Sequence, residues 1–141
     1  MTLYIAGPLF NEMERARNIE IANIFESLDF DTYLPQRDGG IFSEMVASGK
    51  TINEARKSIF ENDIKAIEKC DIILCLLDGR VPDEGMCVEL GIAHALGKKC
   101  FGYRTDSRVS ESEGMNIILE GTLSHVFTNK KDLREFFISY K

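Results

Sequence analysis

Asp71-Ile72-Ile73-Leu74-Cys75-Leu76-Leu77 is the stretch that decides the fold. A continuous apolar run of this length is expected of a strand buried on both faces of a parallel sheet. Working outward, 52–69 reads as a helix before it, and a loop at 78–83 and a helix to about residue 97 follow it. Gly97 with Lys98-Lys99 fits a helix C-terminus. A strand at 100–103, a short helix at 113–120, a fifth strand at 125–127 and a closing helix at 131–140 complete that side. On the other side, 2–6 is a strand ended by Gly7-Pro8. Residues 11–28 form a helix with Ile21, Ile24, Phe25 and Leu28 at helical spacing, and 31–34 a strand stopped by Pro35. The polar, Gly-containing stretch 35–50 reads as a loop. Strands alternating with helices imply an α/β three-layer sandwich around a five-stranded parallel sheet, of the flavodoxin-like or Rossmann-like kind. Ligands bind such sheets beyond the carboxyl ends of the strands.

The 141 residues suit one domain, 1–141, and the net charge of −6 argues against a nucleic-acid partner, which needs a basic face. No signal peptide is legible, and the apolar run 72–77 is far too short to span a bilayer. A cytoplasmic protein without a membrane partner is expected. Cys70, Cys75, Cys87 and Cys100 form no C-x-x-C pair and read as reduced thiols. His94 and His125 are lone and far apart, so no metal site is expected. Gly49-Lys50-Thr51 looks like the end of a phosphate loop, but the earlier glycine is replaced by Glu44. No G-x-G-x-x-G follows the first strand.

Three acids stand out. Glu89 has Gly85, Met86, Ile92 and Ala93 at helical spacing and no cation among them, so no local ion pair accounts for it. A surface glutamate at the edge of the apolar stripe is the plain alternative. Asp63 sits between Ile59, Phe60 and Ile67 on a core-facing stripe; burial there would make it a candidate proton donor. Asp83 starts the helix of Glu89 and reads equally well as its N-cap. Arg104 and Arg108 could form an anion site, but pairing with Asp106 to structure their loop is favoured.

Several ordered motifs together make the chain resemble the nucleoside 2-deoxyribosyltransferases from end to end. They are Tyr4-Ile5-Ala6-Gly7-Pro8-Leu9-Phe10, Leu34-Pro35-Gln36-Arg37-Asp38-Gly39, Asn62-Asp63, Leu77-Asp78-Gly79, Asp83-Glu84-Gly85 and Glu89-Leu90-Gly91. Arg104-Thr105-Asp106-Ser107-Arg108 resembles a loop that commonly has Phe in place of Ser107, and Asn116 with Ile118 resembles an Asn-x-Met element. The resemblance implies Glu89 as nucleophile, Tyr4 as its hydrogen-bond partner and Asp63 as the acid that protonates the departing base. It implies that Asp83 and Asn116 hold the sugar's 5′ end, with Asn116 reaching into a neighbouring subunit of a homo-oligomer. Gly7 and Gln36 join the substrate-binding set, Gln36 toward the base. The partners would be 2-deoxyribonucleosides and free nucleobases, with no cofactor and no metal.

The implied chemistry is a double displacement with retention, as in retaining glycosidases. An apolar site raises the pKa of Glu89, whereas the Tyr4 hydroxyl and the adjacent helix N-terminus lower it; the lowering terms are expected to prevail at neutral pH. The alternatives are a hydrolase of 2-deoxynucleoside 5-monophosphates, a non-catalytic nucleotide-sensing module, and an NAD-cleaving domain.

Overall fold

The computed structural model describes residues 1–106, 108 and 114–140. Its strands are β1 (Thr2–Ala6), β2 (Asp31–Tyr33), β3 (Ile72–Leu76), β4 (Lys99–Tyr103) and β5 (His125–Phe127). They form one all-parallel sheet in the order β2-β1-β3-β4-β5. The chain order therefore reverses between β1 and β3, and that is where a crevice opens at the carboxyl edge of such sheets.

Side-chain alternation explains why β3 reads as a solid apolar run. Ile72, Leu74 and Leu76 pack in one core with Leu3 and Ile5 of β1. Ile73, Cys75 and Leu77 pack in a second core with Tyr4 and Ala6. The first core is closed by α1 (Glu12–Glu26), through Ile21, Ala22 and Phe25, and by α7 (Lys130–Ile138), through Leu133 and Phe137. The second is closed by α4 (Ile52–Lys69), α5 (Glu84–Ala95) and α6 (Ile117–Thr122). Both faces are thus covered, as a parallel sheet requires. Cys70, Cys75 and Cys100 are buried free thiols and Cys87 is half-buried.

Helix boundaries follow their caps. Asn11 accepts from Glu14 N and opens α1. Thr51 and Glu54 form a reciprocal capping box at α4, which accounts for the Thr after Gly49-Lys50 without any phosphate. Lys98 donates to Glu68 O at 2.7 Å, satisfying a carbonyl in the last turn of α4. Among the described residues no helix is long and apolar enough to cross a membrane.

Two expectations need correction. The stretch 35–50 carries two short helices, α2 (Pro35–Asp38) and α3 (Phe42–Ala47). Pro35 pre-sets the first turn of α2, and the Asp38 carboxylate accepts from Leu34 N at 2.8 Å. Elements of four and six residues are too short to display a helical period. The helix expected at 113–120 runs from Ile117 to Thr122 instead, because Asn116 caps it by accepting from Ile118 N and Leu119 N. Glu113 and Ser107 lie outside the described residues.

Candidate active site

Tyr4 has no solvent exposure, and a buried phenol needs an acceptor for its hydroxyl. It points from β1 into the layer that α5 crosses, and donates to Glu89 Oε1 at 2.7 Å. Glu89 is half-buried in the second turn of α5. A second pair repeats the arrangement: the Tyr33 hydroxyl, at the end of β2, donates to Asp63 Oδ1 of α4 at 3.0 Å. The two phenol rings stack with centroids 5.3 Å apart and planes 14° apart. Two acids are thereby brought to the reversal point of the sheet, each held by one of two stacked tyrosines. Tyr33 was missed in the sequence because its partner is 30 residues away and its strand is three residues long.

Burial governs the titration of this cluster. It pushes Glu89 up to about 7; the Tyr4 hydrogen bond opposes the shift, and the charges of Asp63 and Asp83 add to it. The expectation that the lowering terms prevail is therefore corrected. Glu89 lies beyond the first turn of its helix, where the dipole has faded. Asp63 is raised by burial against the pull of Tyr33. Burial first, then the charge of Glu89 on Tyr4 and of Asp63 on Tyr33, hold both phenols far above their usual range, so they stay donors.

The stripe carrying Asp63 does not face the core throughout. Ala55 and Ile67 are buried, but Phe60 is 64% exposed. Ile59 and Asp63 instead line a cavity of about 530 Å³ closed by Leu9, Pro35, Ile41 and Phe42. That volume and apolar lining fit a small-molecule site. Gly39 admits the carboxylate: a Cβ there would stand 2.8 Å from Asp63 Oδ1. Asn62 donates to Gly39 O at 3.1 Å and ties α4 to the end of α2.

The remaining candidates divide. Gln36 lines the same cavity, but its amide is engaged, donating to Arg15 O and accepting from Asn18 Nδ2. Arg37 and Asp38 bind scaffold atoms: Arg37 pairs with Glu26 and Asp38. Gly7 passes close to β3, where a Cβ would meet Leu76 Cβ at 2.9 Å. Asp83 caps α5 through Oδ2, which accepts from Met86 N at 2.9 Å, and its charge reaches Glu89. Asn116 is exposed and lines a different cleft, between α5 and α6. Asp78 links two strand ends by accepting from Thr105 N at 2.5 Å and Asp106 N at 2.8 Å while pairing with Arg17. Arg108 pairs with Asp106, as the loop reading expected. His94 is exposed. Among the described residues no His, Cys, Asp and Glu side chains converge as a metal site requires.

A family profile described as nucleoside 2-deoxyribosyltransferase matches residues 3–131. The chain belongs to the nucleoside 2-deoxyribosyltransferase family. A curated relative, a nucleoside deoxyribosyltransferase of Limosilactobacillus fermentum, is 28% identical over 109 residues, covering 68% of this chain. The chain spans 60% of that relative's length. A 2-deoxyribosyltransferase from Bacillus psychrosaccharolyticus superposes with a TM-score of 0.80 at 21% identity, covering 100% of this chain and 93% of that one. A conserved protein of Enterococcus faecalis V583 gives 0.81 at 26% identity, covering 97% and 96%. The CMP N-glycosidase of Clostridium botulinum gives 0.63 at 15% identity, covering 96% and 97%. The family's α/β architecture is the one seen here.

Proposed function

We propose that the protein transfers 2-deoxyribose between nucleobases by double displacement, with Glu89 as nucleophile. The observation that carries this reading is the Tyr4–Glu89 hydrogen bond beside the Tyr33–Asp63 pair, with Asp63 lining a largely apolar cavity. Tyr4 engages Oε1, and Oε2 has no hydrogen bond among the described residues. Oε2 is the oxygen that attacks the anomeric carbon. As that bond forms, the bond from carbon to base nitrogen breaks and Asp63 donates its proton to the departing base. A second base then attacks from the vacated side, regenerates the Glu89 carboxylate and returns a proton to Asp63, with configuration retained. The reactive state of the pair holds one proton, on Asp63. The missing 2′-hydroxyl eases the oxocarbenium-like transition state, which favours deoxyribosides. No step calls on a cofactor.

Incubating the protein with deoxyinosine and free adenine tests the reading. Deoxyadenosine should appear by chromatography. Hypoxanthine alone would replace the transferase with a hydrolase, whose first half-reaction is the same but whose acceptor is water. The 2-deoxynucleoside 5-monophosphate N-glycosidase alternative is that hydrolysis on a phosphorylated substrate, and the fold likeness to a CMP N-glycosidase keeps it in view. No turnover, with nucleotide binding unchanged in Glu89→Ala, would point to a sensing module.

Asp63→Asn should slow cleavage most for substrates with poor leaving bases, because an amide keeps the Tyr33 bond but has no proton to deliver. The check is kcat on natural nucleosides against one with an activated leaving group. Equal losses on both would remove Asp63 from the acid role.

We infer a homo-oligomer in which Asn116 completes a neighbour's site. Its supports are the exposure of Val81 (80%), Ile117 (83%) and Ile118 (77%), which surround Asn116. Apolar side chains gathered this way mark association surfaces. Ile118, where the family has Met, is apolar and exposed on this face. Mixing Glu89→Ala with Asn116→Ala chains should restore activity through hybrid sites; a fully active monomer would refute the shared site.

A further inference from the structure

Tyr4 and Tyr33 are register partners in the parallel β1–β2 pair, so their rings leave the sheet on the same face. A slip of one residue would turn Tyr33 to the opposite face and break the stack. The stack fixes the ring of Tyr33 against that of the fully buried Tyr4, with centroids 5.3 Å apart. The hydroxyl at the end of the ring donates to Asp63 Oδ1 at 3.0 Å. Asp63 Oδ2 has no hydrogen bond among the described residues. Gly39 closes the same point. Its backbone is right-handed helical, φ −79° and ψ −16°, a conformation open to any residue. Glycine is needed there for room: a Cβ would stand 2.8 Å from Asp63 Oδ1 and 3.1 Å from the Tyr33 hydroxyl. One carboxyl oxygen of Asp63 is thus seated in a tight socket and the other is left for chemistry. Tyr33 is not among the residues lining the cavity to which Asp63 belongs, so it reaches the site through Asp63.

We propose that Tyr33 is the positioning residue of the general acid: it occupies Oδ1, so that the transferable proton sits on Oδ2. The inference rests on the proposed reading in which Asp63 protonates the departing base, and it serves transfer and hydrolysis alike. A proton on Oδ1 would have to share that oxygen with the phenol, whereas Oδ2 is without a competitor. In the reaction the Oδ2–H bond breaks and the proton passes to the base nitrogen as its bond to the anomeric carbon breaks. The electron pair stays on the carboxylate. Negative charge then spreads over both oxygens, and the hydrogen bond from Tyr33 becomes charge-assisted and stronger. An interaction that strengthens as the proton leaves lowers the barrier rather than merely holding the ground state. Burial and the neighbouring Asp63 charge hold the Tyr33 phenol well above its usual range, so it remains a donor and does not itself supply the proton.

Tyr33→Phe removes the hydroxyl and keeps the ring that stacks on Tyr4, so its melting temperature should stay near that of the wild type. Steady-state kinetics are compared for wild type, Tyr33→Phe, Asp63→Asn and the double variant, on a natural deoxynucleoside and on one with an activated leaving base. General acid catalysis supplies roughly a hundredfold or more, and Tyr33→Phe should forfeit at least about fivefold of it in kcat on the natural substrate. KM should stay near the wild-type value, and the activated substrate should be spared. In the Asp63→Asn background the same change should matter less than about twofold, because residues acting as a unit are not additive. Carboxyl-carbon NMR gives a readout that needs no turnover: Asp63 should titrate at higher pH in Tyr33→Phe, where no hydrogen bond opposes burial. A normal kcat, equal losses on both substrates, the same loss with and without the Asp63 carboxyl, or an unmoved Asp63 titration would each overturn the inference. Failure of the underlying reading shows elsewhere, in a wild type that cleaves neither substrate or an Asp63→Asn loss that ignores the leaving base, and it would remove the inference with it.

Discussion

Glu89→Ala is expected to lower base exchange by at least about three orders of magnitude in a protein that still folds. The residue is the carboxylate held by a fully buried tyrosine, and no other acid lies against Tyr4 by hydrogen bond. A folded mutant with near-normal exchange would remove the covalent mechanism. Glu89→Gln separates catalysis from stability. The amide oxygen still accepts from Tyr4, but the cost of a buried charge is gone. In the native protein Glu89 titrates at about 7, against an ordinary value of 4.5. The folded state therefore holds this proton more tightly than the unfolded chain. Stability from that term is complete below about pH 4.5 and is lost as pH rises through 7. The advantage of Glu89→Gln over wild type should accordingly grow between pH 5 and pH 8, by about 2 kcal/mol after allowance for partial exposure. Denaturant unfolding at the two pH values measures it. A constant difference would mean that Glu89 is solvated and its charge costs nothing. Loss of activity together with a gain of stability at high pH is what a strained catalytic carboxylate should give.

How much of this was legible in the sequence depends on the range of each interaction. β3 was readable because burial on both faces removes every polar residue from 72 to 77. The long helices were readable from period and caps, with α4 running from Ile52 to Lys69 as its Thr51–Glu54 box dictates. Asp63 and Glu89 were conspicuous as acids on apolar stripes, but the stripe alone could not tell a core from a cavity. Phe60, on the same stripe as Asp63, is exposed, while Ile59 faces the cavity. Tyr33 was invisible because its role comes from stacking on Tyr4 and bonding to α4, contacts made only when β1 and β2 pair. The ionisation of Glu89 was misjudged for the same reason: burial and the charge of Asp63 are tertiary effects, whereas the helix terminus invoked against them is local and too far away. Gln36 shows the reverse case, a plausible base contact whose amide is committed to α1.

The free nucleoside should be strongly preferred over its 5′-monophosphate at the Glu89 site, with Asp83 as the cause. On the proposed reading Asp83 meets the sugar's 5′ end, so an acid stands there. Asp83 spends Oδ2 on Met86 N, and Oδ1 has no hydrogen bond among the described residues. Capping the helix and meeting the sugar are therefore compatible, since each uses one oxygen. An ionised carboxylate accepts from a neutral 5′-hydroxyl but offers no donor to a phosphate. At about 4 Å and an effective dielectric near 20, each pair of unit charges repels by roughly 4 kcal/mol. Screening reduces that upper figure, yet about half of it still gives a preference of more than tenfold. Comparing deoxyadenosine with its monophosphate, in wild type and Asp83→Ser, measures the effect on kcat/KM. Wild type should reject the monophosphate, and Asp83→Ser, which keeps a capping hydroxyl, should narrow the gap. Equal use of both substrates by the wild type would leave Asp83 as a helix cap alone and favour the monophosphate hydrolase.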